Sequence, residues 1–343
     1  MLDPLRRSIV VVLLVSVPVM AQTVRRGPEP PGRAVPVTNA TEQPIAAGDS
    51  AAAKQLRQWY ADGDAAGNVG DYYDNRDRGH SRLNRKQHPQ LGRIEYSKLE
   101  RERRRDWAFF PAVRPETVFG NSSTSARWQV GGSNPRRAYA APGGINLLYL
   151  QYRNNNLYIY PAHTDFGNAH KSDLFVTNTP YLITSRGSSG SDRRFMTAAA
   201  YTFAAFRPEV KSKLIQTGLL LPTFQMILRS TSKSLDDPDD YLTGRAHPTI
   251  FNGSDVDHLA MIRKANTVAL EDIPALAQIR VIEEDEAKPG IDFFEKSNRT
   301  ERLADTPCVI ARVLRGPQRV RRYVVSATSS RDINARPLRY HWA

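Results

Sequence analysis

Cysteine is almost missing from this chain: Cys308 is the single thiol in 343 residues. One cysteine forms no internal disulfide and offers no zinc-finger spacing, so the fold must rest on packing, aided at most by ions. Its place in the apolar run Cys308-Val-Ile310 predicts a buried small hydrophobe rather than a nucleophile. Walker-type phosphate loops and dinucleotide fingerprints are also absent. Beyond the N-terminus no run approaches the ~20 apolar residues that a membrane span needs. Acidic residues are outnumbered, 35 against 48 Lys and Arg, which leaves a net charge of +13. Nucleic acid is the first partner such a charge suggests. The basic residues are dispersed, however, and their one tight cluster, Arg101 with Arg103 to Arg105, is interleaved with Glu100, Glu102 and Asp106, as on a solvated helix face. Without an RNA-binding aromatic motif or a DNA-reading finger, sequence-specific nucleic acid is not expected. A polyanionic envelope, an anionic envelope polysaccharide or another surface protein is the more natural partner.

What is present begins with a leader. Arg6 and Arg7 precede an apolar run from Ile9 to Val19, and Val19-Met-Ala21 supplies small or aliphatic residues where cleavage is expected. This predicts a secretory signal peptide over residues 1–21, with an uncleaved N-terminal anchor as the alternative. Residues 22–50, rich in Pro, Gly, Ala and Thr without hydrophobic periodicity, read as a flexible tether. After the leader about 320 residues remain outside the cytoplasm, secreted or periplasmic; the chain's 40% hydrophobic content and this length suffice for one large domain or two smaller ones. A body over 51–285 and a separate C-terminal module over 300–343 are the expected units.

The densest grouping of reactive side chains lies between Asn146 and Phe206. Ile145 to Tyr152 and Leu157 to Tyr160, separated by Arg153-Asn-Asn-Asn156, read as a β-hairpin around an Asn-rich turn. The second strand would deliver His163, Asp165 and His170 to one end of a sheet, where a rigid scaffold fixes binding groups. A strand at Tyr181 to Thr184 then runs into the turn Ser185-Arg-Gly-Ser-Ser-Gly-Ser-Asp192, and Phe195, Ala198, Ala199, Thr202, Phe203 and Phe206 continue at helical spacing. Strand, Gly/Ser turn and helix can present N–H groups to an anion, with Ser188, Gly190 and Asp192 as ligand contacts. The plainer reading is a helix capped by Ser191 or Asp192.

Further candidates flank this stretch. Asp62, Asp64, Asn68, Asp71, Asp74 and Asp77 crowd one segment, and closely spaced oxygens suit Ca²⁺. An EF-hand started at Asp62 fails, with Ala66 at the fifth position and Tyr73 at the twelfth; a different site using Asp62, Asp64, Asp71 and Asp74 competes with ordinary Asx-turns. Gly120-Asn-Ser-Ser-Thr124 reads as a polar loop. Pro208 should open a helix that Gly218 closes, Pro222 should start the next, and Asp255 should cap another through Val268. The aspartates of Ser234 to Arg245 read as a solvated turn.

Beyond Pro274 the pattern changes to strands at 276–282, 308–314, 320–328 and 338–342, with clear alternation in Arg322-Tyr-Val-Val-Ser-Ala327. Ser326-Ala-Thr-Ser-Ser-Arg-Asp-Ile-Asn-Ala-Arg-Pro-Leu-Arg-Tyr-His-Trp342 resembles the core of a PKD-type immunoglobulin-like domain, in which a Ser-x-Asp-x-Asn/Asp-Gly turn precedes Pro-Leu-x-Tyr-x-Trp. Ala335 stands where that pattern has Gly, and only about the last 40 residues are covered. A sandwich takes roughly seven strands, so a fragment of a longer protein is expected. The body, through Gly120-Asn-Ser-Ser-Thr, Tyr158-Ile-Tyr-Pro, Gly187-Ser-Ser-Gly-Ser-Asp192 and Ala205-Phe-Arg-Pro208, is similar to a set of secreted bacterial proteins carrying such a repeat. The resemblance implies an exported, envelope-associated setting and no particular activity.

The expected fold is therefore an α+β or α/β body with a mixed sheet and several short helices, followed by a partial all-β immunoglobulin-like sandwich. The expected function is binding or structural, at the cell envelope. The competing class is a secreted hydrolase in the same region, with Ser189 or Ser191 as nucleophile (Ser188 is equally placed), His163 or His170 as base and Asp165 or Asp173 as orienter. A metal-dependent version would hold Zn²⁺ on His163, Asp165 and His170. Gly187-Ser-Ser-Gly190 is one residue short of a nucleophile elbow.

Overall fold

The computed structural model describes residues 71–76, 80–84, 88, 91–103, 106, 113–122, 144–162, 179–286, 302–312, 322–340 and 342, with short stretches at 12–14, 35–37 and within 51–59. Two short strands come first, β1 (Val12–Leu14) and β2 (Val35–Val37). The body is then laid down as β3 (Asp71–Arg76), β4 (Gly92–Glu95), helix α1 (Lys98–Glu102), β5 (Thr117–Ser122), α2 (Gly144–Arg153), β6 (Asn156–Pro161), β7 (Leu182–Ser185), α3 (Arg193–Ala205), α4 (Pro208–Thr217), α5 (Leu220–Ser230) and α6 (His258–Thr267). Strands β4, β3, β5, β6 and β7 lie parallel in that spatial order, and β2, from the segment read as a tether, adds antiparallel to β4.

The Asn-rich hairpin is not formed. Residues 144–153 are helical, burying Ile145, Leu148 and Tyr152 at a spacing of three and four while Leu147 and Leu150 stay 43% and 41% exposed. Eight residues of mixed apolar character fit a strand or a helix equally well by eye; the outward leucines are what the strand reading could not accommodate. Asn155 closes the helix at φ 56°, the left-handed conformation that Asn tolerates, and its amide bonds Tyr152 O. Asn156 then pins the start of β6 to the segment before β5, accepting from Arg114 N and donating to Arg114 O and Glu116 O. The result is a helix feeding a parallel strand, the connection a parallel sheet requires.

Residues 120–122, read as a loop, are the end of β5, a strand buried along its whole length. Parallel strands covered on both sides lose the polar–apolar alternation that marks an exposed strand. The helices fare closer to expectation. Pro208 opens α4 and Gly218 closes it at φ 69°; α5 starts two residues before Pro222, and Asp257 rather than Asp255 caps α6 through Ala260 N. The turn 234–245 is held by Arg245, which reaches Asp236 at 2.9 Å and Asp240 at 2.6 Å.

Among the described residues the C-terminal strands do not build an immunoglobulin sandwich. Strand β8 (Arg280–Glu284) pairs antiparallel with β11 (Tyr323–Ser326), while β9 (Arg302–Thr306) and β10 (Val309–Arg312) make a hairpin, with β1 beside β10. Residues 338–340 and 342 are not strand, and Tyr340 and Trp342 are half exposed. The Asp332 turn docks on the body instead: Asn334 Nδ2 donates to Leu270 O and Glu271 O, and Arg336 to Glu271 O and Ile273 O. Ala335, in the glycine position of the resembled pattern, sits at φ 56°. Arg312 donates to Glu284 from Nε and Nη2, at 2.7 and 2.9 Å, tying the hairpin to β8. Cys308 is buried, as its apolar run predicts. No helix among the described residues is long and apolar enough to cross a membrane.

Candidate functional site at the carboxyl edge of the sheet

The strand order dictates where a site is to be sought. From β3 the strand order moves to one side, to β4, and then passes to the other side of β3, to β5 and β6, so it reverses between β3 and β5. In open parallel sheets the crevice beyond the carboxyl ends at such a reversal is the usual ligand site. Here β3 ends on Asn75 and Arg76, and β5 ends on Asn121 and Ser122, in register.

Alternation sends two polar groups to opposite faces of the sheet. On one face Tyr73 packs against Phe119, which meets Phe203 of α3 edge-on with ring centres 5.6 Å apart. Above them Asn121 donates from Nδ2 to His80 O at 3.0 Å and accepts from Tyr73 Oη at 3.4 Å. The adjacent Ser81, buried at φ 51°, donates its hydroxyl to Asp192 Oδ1. On the other face Asp74, fully buried, accepts from Tyr96 Oη at 2.7 Å and Tyr158 Oη at 2.6 Å. Burial, and after it the Asp74 carboxylate, push both phenols well above their usual range, so they stay protonated donors. The guanidinium of Arg76 lies over the Tyr158 ring, and that of Arg114 over Tyr96. Burial lifts Tyr160, next along the same face, to about 12.

The residues singled out in the sequence are distributed around this edge. Ser188 is half-buried and Ser189 exposed in the loop that leaves β7; Gly187 and Gly190 bend it at φ 120° and 103°. The Ser191 hydroxyl is 2.7 Å from that of Ser185, and among the described residues no histidine hydrogen-bonds Ser188, Ser189 or Ser191. Asp192 does stand at the N-cap of α3, yet neither it nor Ser191 caps the helix through its side chain. The Asp192 carboxyl group, wholly buried, turns to Ser81 instead. His163, Asp165, His170 and Asp173 follow β6 in sequence but lie outside the described residues, as do Asp62 and Asp64. Asp71 is paired with Lys211 of α4 at 2.6 Å, and Asp74 holds its two tyrosines. Among the described residues no group of three or more His, Cys, Asp or Glu side chains is placed to hold a metal.

Sequence reasoning passed over Tyr73, Ser81, Asn121 and the Asp74–Tyr96–Tyr158 group. Asp71-Tyr-Tyr-Asp-Asn-Arg76 reads as acidic loop by composition and has no polar–apolar alternation; its one strand signal is the aromatic pair Tyr72-Tyr73. His88, 3% exposed, packs on Tyr201 close to this region, and burial, then Arg93, lower its pKa to about 4. An unfolded histidine takes a proton near pH 6.5, whereas this one does not until about pH 4, so stability present above 6.5 is lost as the pH falls through that window. Urea melts should show about 2 kcal/mol lost from this group between pH 6.5 and 5. His88→Phe should flatten that slope; an unchanged slope would mean the imidazole is protonated in the fold. His247, with a pKa near 4, supplies a residual dependence of the same sign.

No protein family, curated protein or solved structure matches the chain.

Proposed function

We propose that the chain is an exported binding protein of the cell envelope that takes a small polar ligand at the carboxyl edge of its parallel sheet. The observation that carries this is the reversal of strand order between β3 and β5, with Asn121, Ser122 and Arg76 at the strand ends and the Ser188–Ser189 loop leaving the same edge from β7. The basic leader with its apolar run supports the exported setting. Wholly buried strands hold such an edge rigid, which suits recognition.

The test is a panel of sugars, amino acids, dicarboxylates and nucleoside phosphates read by thermal melting of the secreted protein. A ligand at a hundred times its Kd adds about 2.7 kcal/mol, equivalent to roughly 5–10 °C for a body of this size. In Ser189→Trp, which fills the exposed loop, the increment should vanish while the unliganded melt is unchanged. A panel without any increment, or an increment that survives the tryptophan, would sink the proposal. Esters, phosphate esters and glycosides in the same panel test hydrolysis, and turnover lost in Ser191→Ala would put a hydrolase in its place.

A further inference from the structure

The C-terminal hairpin has a sheet edge that is covered by the leader itself. Strand β10 pairs on one side with β9 and on the other, antiparallel, with β1: Val12 lies opposite Ala311, Leu13 opposite Ile310 and Leu14 opposite Val309. The hairpin is tied to the body by other contacts as well. Tyr181 Oη, just before β7, and Thr306 Oγ1 are hydrogen-bonded to each other, and Arg312 donates to Glu284 of β8. A chain cleaved after residue 21 keeps those ties and loses β1, so the outer edge of β10 is held in place and uncovered.

The backbone groups at that edge follow from the register. Alternate residues of an antiparallel strand send their N–H and C=O to opposite neighbours. Val309 N is turned toward β9, where it donates to Thr306 Oγ1 at 3.1 Å, so Ile310 directs its N–H and C=O outward, toward Leu13. Without β1 this donor and acceptor stand on an open strand edge, the template to which a further strand adds.

A strand that replaces β1 must be extended, antiparallel and apolar, as Val12-Leu13-Leu14 is. Strand β10 itself meets that description. Turned about a two-fold axis at Ile310, a second β10 puts its Val309 in the place of Val12, its Ile310 in that of Leu13 and its Ala311 in that of Leu14. The outward groups of the two Ile310 residues then bond each other. Arg312 falls opposite Cys308 in this register, so no like charges meet across the ladder.

We infer that the leader-free chain associates with a second copy through β10, joining two hairpins into a four-stranded antiparallel sheet, and that the leader strand keeps the precursor monomeric until export. A two-fold contact uses the same patch on both copies, which a strand paired antiparallel with itself satisfies. The inference rests on the reading of residues 1–21 as a cleaved leader and is independent of any ligand at the carboxyl edge.

The test is sedimentation of the secreted chain, with its mass determined first. A secreted chain that keeps residues 12–14 would overturn the leader reading and this inference with it; a cleaved chain that sediments as a monomer would overturn the dimer alone. The expected result is a cleaved chain at twice the mass of one copy, more completely dimeric as salt screens the repulsion between two basic chains. A synthetic peptide of residues 9–19, with lysines appended for solubility, should halve that mass by taking the β1 position. The same peptide carrying Leu13→Pro, which lacks the N–H that meets Ile310, should leave the dimer intact. In the protein, Ile310→Pro should also give monomer, because proline removes the outward N–H and leaves the bond of Val309 to Thr306 in place. Should that variant fail to fold, the peptide pair still decides. A dimer that persists in excess leader peptide, or in folded Ile310→Pro, would overturn the proposal.

Discussion

Gly120→Ala is expected to destabilise the protein by about 3 kcal/mol, one of the two largest effects predicted for a single substitution in this chain. Gly120 sits in β5 opposite Asp74 and Tyr158. A methyl group there would collide with the carbonyl oxygen of Asp74 and approach the Tyr158 ring to 2.8 Å. The first is backbone of a central strand, which cannot yield without breaking the sheet register. The second is the ring that crosses β5 to put its hydroxyl on Asp74. The damage should therefore spread to the Asp74–Tyr96–Tyr158 group as well as to packing. Equilibrium urea unfolding measures it, with Gly244→Ala as the control: nothing lies within 4 Å of a methyl group at that exposed position, so its effect should stay within about 0.5 kcal/mol. A Gly120→Ala protein as stable as the control would show that β5 does not run this close to its neighbours.

Lys211→Met is expected to cost about 3–5 kcal/mol. Lys211 of α4 and Asp71 at the start of β3 are 3% and 7% exposed and pair at 2.6 Å across 140 residues of sequence. The worth of the pair against two apolar residues is small, because both charges were taken out of water to form it. Removing one partner is costly, since the other is left buried and uncompensated. The double variant Lys211→Met, Asp71→Leu should accordingly regain most of the loss, to within about 1 kcal/mol of wild type. A double-mutant cycle isolates this coupling. A loss below about 1 kcal/mol in Lys211→Met would mean that water reaches Asp71, and the segment's oxygens would then be free for the Ca²⁺ role that their composition suggests.

Local chemistry was legible in the sequence because it acts over a few residues. Pro208 and Gly218 bound α4, the helical spacing from Phe195 to Phe206 marks α3, and the Cys308 run marks a buried position; each depends on propensity or periodicity within one element. The α/β character of the body follows from the same signals. Between helix and strand for residues 145–152, however, the sequence leaves both open. Burial of Ile145, Leu148 and Tyr152 against the rest of the fold selects the helix, and that selection turns a hairpin into a parallel crossover. The turn around Asp332 is closed by Asn334 N and Arg336 on the Asp332 carboxylate, and its partners are the body at Leu270 to Ile273 rather than a sandwich.

The candidate site was divided in the same way. The sequence by itself determined that Ser188 and Ser189 lie in a Gly/Ser turn between strand and helix, that the helix begins at Ser191 or Asp192, and that one thiol does no chemistry through an internal disulfide. Only the tertiary structure decided that Asp192 faces Ser81, 111 residues away, that Asp71 meets Lys211, and that Asp74 gathers two tyrosines from other strands or loops. Such pairings are set by strand order and register, which are fixed by the global packing of apolar faces. A carboxylate's partner is therefore absent from its own neighbourhood in the chain, and composition alone assigns to a loop what the fold places in the core.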